Sequence, residues 1–407
     1  MNCRHCASAL THTFLDLGFA PPSNAYLTKD DLSKPEKYYP LKVMVCDQCW
    51  LVQTEDYAAV GELFDSEYAY FSSTSTSWLE HARCFVESIT QELGLDENSY
   101  VIEVASNDGY LLKNFLEKKI PCLGIEPTAS TARVAENFGV PVMREFFGEQ
   151  LAKQLARQGN RADLIVGNNV YAHVPNINDF TLGLKAALKA GGTITLEFPH
   201  LMRLIQFNQF DTVYHEHFSY LSLYTVKRIF HEAGLRIFNV EELPTHGGSL
   251  RIYGCHEDDT RKTLPAVLAL LQEEEDRGLR DLFTYKSFQK MADMIKNEFI
   301  DFLITQKKLG KKVAAYGAAA KGNTLLNYAG VKTDLLSFVC DNAISKQDKY
   351  LPGSHIPIFS PEILEEKRPD YVVIFPWNIS LEVESQLQRI KTWGSYFVTF
   401  IPKINIF

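Results

Sequence analysis

The sequence predicts an α/β protein in three units: a small metal-binding N-terminal domain, then two strand–turn–helix domains of nucleotide-binding type. Three observations carry this reading. Two Cys-x-x-Cys pairs stand at Cys3/Cys6 and Cys46/Cys49. Short apolar runs alternate with helical stretches from residue 100 to residue 254, and a second such series starts at residue 311. Each series opens with a strand, a turn of small residues and a helix, and continues to a strand ending in an acid. At 407 residues the chain exceeds one ordinary core.

The first unit is placed at 1–66. Two residues between cysteines let a tight turn aim both sulfurs at one ion, and two such turns complete a tetrahedral set: Cys3, Cys6, Cys46 and Cys49. No general acid or base accompanies them, so the expected zinc is structural and His5 is a bystander. Pro21, Pro22, Pro35 and Pro40 mark the intervening stretch as loop, and so small a loop-rich unit needs its metal to fold. The alternative, four buried free thiols, leaves two complete pairs without a purpose. No basic start precedes an apolar stretch, and no apolar run approaches the ~20 residues of a membrane span. A reducing, cytoplasmic setting is therefore expected, with cysteines used for metal rather than disulfides. Hydrophobic content of 46% and charged content of 22% are those of a globular chain. A net charge of −9 argues against nucleic acid or anionic membrane as partner.

The second unit is placed at 67–257. Residues 100–104 read as a buried parallel strand and 111–116 as the helix after it. Between them Glu103, Ala105, Ser106, Asn107, Asp108 and Gly109 form a turn without the dinucleotide pattern G-x-G-x-x-G. Its carboxylates repel phosphate and suit a cationic sulfonium ligand. Glu126, followed by Pro127, ends the second strand about 20 residues on, where an acid holds ribose hydroxyls. The alternation continues to Asn168 and Asn169, then through 191–197 to Glu197. A hairpin-like pair, 235–241 and 249–254, straddles Thr245-His-Gly-Gly248. This order predicts the sheet of a class I S-adenosylmethionine-dependent methyltransferase, and the closing hairpin favours it over a dehydrogenase.

The third unit, 258–407, starts with a charged helical link over 258–309. Gly317-Ala-Ala-Ala-Lys321-Gly322-Asn323 then follows a strand, and this turn offers a cation and backbone N–H groups. Strands ending at Asp341 and running through 371–378 complete a smaller Rossmann-like domain. A degenerate fold that only braces its neighbour is the bland alternative.

Taken together, the chain resembles the zinc-containing three-domain C-methyltransferases of deoxysugar biosynthesis, which methylate a nucleotide-linked keto-deoxyhexose at carbon. The resemblance spans essentially the whole length. It rests on both Cys-x-x-Cys pairs, Glu67-Tyr-Ala-Tyr70-Phe-Ser-Ser, Val101-Ile-Glu-Val-Ala-Ser-Asn-Asp-Gly109 and Asn169-Val-Tyr-Ala-His173-Val-Pro. Tyr214-His-Glu-His217-Phe-Ser-Tyr, His246-Gly-Gly-Ser-Leu-Arg251 and Gly317-Ala-Ala-Ala-Lys-Gly322-Asn-Thr add to it. Such proteins often carry an aliphatic residue in place of Tyr171 and glycine in place of Ala105; Tyr171 leaves room for a reshaped sugar pocket.

The resemblance implies roles. A carbon nucleophile needs an enolate, and the implied base is His217, with Glu216 and Tyr214 in the same site. Tyr214 and His173 are expected to donate to the oxyanion, and Tyr68 or Tyr70 to close the pocket. His246, Ser249, Arg251, Lys321, Gly322 and Asn323 are expected on the sugar nucleotide, with Lys321 facing its diphosphate. The substrate is expected to be a dTDP- or GDP-linked 4-keto-6-deoxyhexose methylated at C3, and the chain to be a monomer. Competing readings are an O- or N-methyltransferase, a zinc and nucleotide-fold binding module, and an NAD-dependent dehydrogenase. A metal on His215 and His217 is disfavoured, because on a strand Glu216 would point the other way.

Overall fold

The structure, a computed structural model, describes residues 1–55, 57 and 71–407, and its strands form three sheets. In the first unit β1 (His12–Ala20), β2 (Tyr39–Val45) and β3 (Val52–Thr54) pair antiparallel. The proline-marked stretch is thus loop only in part: Pro40 lies within β2, opposite Phe19. Phe14, Leu15, Leu17, Val43 and Val45 are buried, which the emphasis on prolines overlooked.

The middle unit has a seven-stranded sheet. Its strands are β4 (Val101–Val104), β5 (Cys122–Ile125), β6 (Val142–Met143), β7 (Ala162–Asn168), β8 (Leu188–Pro199), β10 (Leu235–Leu243) and β11 (Ser249–His256). They lie in the order β10-β11-β8-β7-β4-β5-β6. The strands from β6 to β8 are parallel, and β11 and β10 close the sheet antiparallel. The chain runs β4-β5-β6 to one side and returns to β7 on the other. The crevice beyond the carboxyl ends of β4 and β7 is therefore the place where such sheets take ligands.

One short strand, β9 (Ser219–Tyr220), leaves the middle unit and adds to the first sheet, pairing Ser219 with Gln53 and Tyr220 with Val52. It follows directly on the Tyr214–His217 motif. The metal-binding unit is therefore an integral wall of the molecule rather than an appendage. Its Cys3, Cys46 and Cys49 share a core with β7, β8 and β11, while Phe14, Leu17 and Val43 share another with the third unit.

The third unit has β12 (Val313–Tyr316), β13 (Val339–Cys340), β14 (Ile358–Phe359), β15 (Tyr371–Ile374), β16 (Tyr396–Thr399) and β17 (Asn405–Ile406), ordered β14-β13-β12-β15-β16-β17. Its switch point lies between β12 and β15. The link to it comprises two helices, Pro265–Asp276 and Leu282–Lys308. In the first, Glu274 accepts from Leu223 N and Tyr224 N and from His200 Nε2, tying the link to a middle-unit helix N-terminus.

Candidate active site

The four cysteine sulfurs meet. Their Sγ atoms all lie within 4.8 Å of one another, with Cys3–Cys49 at 3.4 Å and Cys6–Cys46 at 3.5 Å. A tetrahedral S₄ zinc with bonds of about 2.3 Å needs sulfurs about 3.8 Å apart, so the set fits that ion. Gln53 Nε2 donates to Cys3 Sγ at 3.2 Å, the kind of outer contact that fixes a thiolate ligand. His5 turns away to Asn178 and Glu232, as a bystander should. Among the described residues these cysteines form the one cluster assembled for a metal.

The cofactor turn is built from left-handed backbone. Ala105, Asn107 and Gly109 have φ of 57°, 49° and 76°. A Cβ at Gly109 would meet Ala135 at 3.0 Å, so glycine is required there, whereas Ala105 accepts a conformation its side chain disfavours. Glu126, at the end of β5, takes Asn107 N on one oxygen (3.0 Å) and Thr128 N on the other (2.8 Å). The strand end therefore holds the turn in place. Glu103, only 1% exposed, has an Oε2 with no partner among the described residues, as has Asp108 Oδ1. Burial, then the charges of Asp108 and Glu126, push the Glu103 carboxyl well above the carboxylate range. Both polar atoms of the buried Asn168 side chain also lack partners there. Orphaned acceptors around a carboxyl cluster are what a cationic amino acid with ribose hydroxyls would satisfy, so the residues fit S-adenosylmethionine.

The strand expected at His215–His217 is corrected. His217 N donates to Tyr214 O at 3.0 Å, so the four residues form a turn and bring Tyr214 and His217 together, ring centroids 4.0 Å apart. His215 goes instead to the first sheet, against Tyr39. His217 Nδ1 lies 3.0 Å from the carbonyl oxygen of Thr212. A carbonyl only accepts, so Nδ1 carries the proton and Nε2 holds a lone pair. His173 lies 4.6 Å from it ring to ring, its Nδ1 likewise donating to Glu216 O at 2.8 Å. Burial lowers both pKa values, that of His173 to about 4 and that of His217 well below normal, where His173 adds to the effect. Both rings are neutral, and His173 as it stands presents an acceptor through Nε2, contrary to the expected oxyanion donor. Glu216 takes Asn24 Nδ2 at 3.0 Å on one oxygen and keeps the other without a partner among the described residues. Burial raises its carboxyl to about 7, against the pull of the Asn24 contact.

The third unit supplies the cation. Lys321 starts the second position of the helix Ala320–Ala329 at the switch point and lies 4.4 Å over the Trp377 ring, with Nζ 2.6 Å from Asn378 Oδ1. Burial brings its pKa down to about 8, with Asp211 working the other way. Its charge acts on His217 and His246, so the third unit's crevice faces the middle unit's histidines. Trp377 and Asp211, unmarked in the sequence, join the two units through a 2.7 Å hydrogen bond from Nε1. His246 (φ 54°) meets Asn169 Nδ2 at 2.9 Å and Trp78 at 5.1 Å.

Other expectations are revised. Arg251 is buried in an ion pair with Glu197 (2.7 Å), a second with Glu241 (3.0 Å), and a stack on Phe85; its guanidinium is committed to the fold. Ser249 bonds back to Thr245 O within its own turn. Gly322 is a packing glycine, its Cβ position only 2.6 Å from the Phe375 ring, and Asn323 donates to Ser23 O of the first unit. Tyr171 is sealed in the core with its hydroxyl on Thr181, away from any pocket. Tyr68 and Tyr70 lie outside the described residues.

Comparison with known proteins agrees with this architecture. Family models match for a zinc binding domain over 3–64, a methyltransferase domain over 78–240 and a C-methyltransferase C-terminal domain over 244–402. The chain is 32% identical over 404 residues to C-methyltransferase NovU of Streptomyces niveus, covering 99% of this chain and 96% of that one. Among solved structures, an S-adenosylmethionine-dependent methyltransferase from Clostridium acetobutylicum matches 43% of this chain and 91% of its own at 11% identity, with a TM-score of 0.35. Magnesium protoporphyrin IX methyltransferase from Synechocystis with bound S-adenosylmethionine matches 42% and 78% at 13% identity, TM-score 0.32. Likenesses this loose add nothing to the assignment. Full-length identity to NovU, the three domain matches, the cysteine cluster and the sheet order together show that the chain belongs to the zinc-binding, S-adenosylmethionine-dependent C-methyltransferases.

Proposed function

We propose that the enzyme methylates C3 of a nucleotide-linked 4-keto-6-deoxyhexose through an enolate raised by His217. The observation that carries this is the setting of that ring: buried, with Nδ1 donating to Thr212 O at 3.0 Å, which leaves the Nε2 lone pair to take a proton. His217 Nε2 removes the proton from the carbon beside the ketone, and the C–H electron pair passes into the enolate. S-adenosylmethionine supplies a methyl group on positively charged sulfur, whose S–CH₃ electrons leave with sulfur as the new C–C bond forms. Tyr214, its ring tilted against His217 at 4.0 Å, is the group suited to donate to the enolate oxygen. Lys321, at the switch point of the third sheet, is suited to the diphosphate of a dTDP or GDP carrier. Glu103, Asp108, Asn168 and Glu126 are suited to hold the methyl donor.

A second reading has support of its own. Glu216, with a buried oxygen that has no partner among the described residues and a carboxyl raised to about 7, is better matched than His217 to proton abstraction near neutrality.

Deuterium exchange separates them. Wild-type enzyme with S-adenosylhomocysteine, given dTDP- and GDP-linked 4-keto-6-deoxyhexoses in heavy water, should wash deuterium into C3. His217→Ala should bind both ligands yet lose ~10²–10⁴-fold in exchange and methylation. Near-normal exchange in that variant, with loss in Glu216→Gln, would transfer the base to Glu216. A methylated product that keeps its α-proton would point to O- or N-methylation instead.

A further inference from the structure

The metal-binding knuckle reaches the catalytic turn through a continuous set of hydrogen bonds. Arg4 lies between the two cysteines of the first pair. Its backbone N donates to Gln53 Oε1 at 2.9 Å, and Gln53 Nε2 donates to Cys3 Sγ at 3.2 Å. Arg4 Nη2 donates to Thr54 O at 3.0 Å and Nη1 to Pro175 O at 2.8 Å, two residues beyond His173. Its guanidinium also lies 5.4 Å over the Phe218 ring, next to His217. Thr54 completes the path: its Oγ1 donates to His217 O at 3.2 Å and its N to Phe218 O at 3.2 Å. Gln53 and Thr54 are both buried, and β3 pairs with β9 immediately after the turn.

We infer that Thr54 and Arg4 are positioning residues for His217 and His173, so that the metal-binding unit sets the geometry of proton abstraction as well as the fold. The physical case is directional. The turn 214–217 is fixed at one end by Thr324 Oγ1 on Val213 O (2.8 Å) and at the other by Thr54. His217 hangs between these anchors, and its Nδ1 contact to Thr212 O is the third restraint on where Nε2 points. Removing the Thr54 hydroxyl leaves the main-chain ladder intact but frees the His217 carbonyl to rotate. A base displaced by a fraction of an ångström loses rate without losing substrate. Arg4 extends the same restraint to the His173 segment, which among the described residues no ladder holds to the first sheet.

The inference rests on His217 as base, and the experiment keeps the two apart. Thr54→Val, Thr54→Ser, Arg4→Lys and His217→Ala are compared for zinc content, S-adenosylmethionine affinity, KM, kcat and deuterium exchange at C3. Thr54→Val should keep its zinc, cofactor affinity and KM, and lose ~3–10-fold in both kcat and exchange, the effect of one hydrogen bond. Thr54→Ser, which restores the hydroxyl, should recover both. Arg4→Lys, too short to span two carbonyls, should show the same pattern, and it decides the matter if Thr54→Val does not fold. If His217→Ala abolishes exchange while Thr54→Val and Arg4→Lys exchange like wild type, the inference falls and the base assignment stands. Parallel loss of zinc, cofactor affinity and rate in both variants would reduce the pair to folding residues and also overturn it. Undiminished exchange in His217→Ala removes the base assignment, and the inference with it.

Discussion

Glu103→Gln tests the electrostatic logic of the cofactor site. Glu103 is 1% exposed, one of its oxygens has no partner among the described residues, and Asp108 and Glu126 crowd it with negative charge. Its pKa in the free protein is therefore raised, and it keeps its proton to higher pH than an ordinary carboxyl. A bound sulfonium or ammonium cation favours the ionised carboxylate, so binding releases that proton. The sign follows: below the raised pKa, S-adenosylmethionine affinity should climb about tenfold per pH unit, and level off above it. Glu103→Gln keeps the shape and cannot ionise. It should flatten the pH profile and cost ~1.5–3 kcal/mol at high pH, the range for a hydrogen bond to a charged group. Titration calorimetry in two buffers of different ionisation enthalpy reads both numbers, because the wild type alone should pass a proton to the buffer. Equal affinities and parallel pH profiles for the two proteins would refute the argument. The free variant should also be more stable than wild type near neutrality, since it no longer buries a group that ionises more readily when unfolded.

Two further outcomes are expected. Elemental analysis should find about one zinc per chain, and Cys49→Ser should lose it together with thermal stability, because the ion closes a four-thiolate set; a metal-free chain of normal stability would contradict the site. Arg251→Met should destabilise by about 3–5 kcal/mol in urea unfolding by stranding Glu197 in the core. Burial opposes ionisation of Glu197, but the His81 and Arg251 contacts prevail and hold its carboxyl down to about 2. That stability is present above the unfolded carboxylate value of about 4.3 and should fade as pH falls towards the folded one in wild type only.

The sequence made the covalent and local features legible, because each needs only short-range information. Two Cys-x-x-Cys turns announce four convergent thiolates, and a strand ending at Glu126 announces an acceptor at a sheet edge. The missing dinucleotide glycines pointed to the class of cofactor. What stayed hidden depends on partners far along the chain. Arg251 looks like a ligand group until Glu197, 54 positions away, is seen to neutralise it. The Tyr-His-Glu-His motif looks extended because nothing local declares a turn: it is bent by restraints from Thr54 and Thr324, on different domains. Asp211 and Trp377 carry no motif at all, and a part-buried Asp–Trp contact between domains has no periodicity to betray it. The loop reading of 7–45 fails for a related reason: prolines at 21, 22 and 35 mark turns but do not show that the residues beside them pair as β1 and β2.

The two crevices have opposite electrical character, and this constrains how two substrates can enter. The middle unit gathers Glu103, within β4, with Asp108 and Glu126 beyond the ends of β4 and β5. The third unit presents Lys321 beyond β12, buried deeply enough that its charge is felt at His217 and His246. A sulfonium donor bound in the third crevice would face that lysine, and a diphosphate bound in the middle one would face three carboxyl groups. Either arrangement sets like charges together in a buried site, where repulsion is weakly screened. A chain of net charge −9 would not attract the proposed nucleotide sugar from a distance; on that proposal the buried Lys321 would select the anion's place instead. For the proposed substrates the electrostatics favour one arrangement, donor against the acidic turn and nucleotide against Lys321. On that arrangement the donor methyl and the proposed sugar carbon would meet at the Tyr214–His217 turn, which Thr324 of the third unit and Thr54 of the first hold between them.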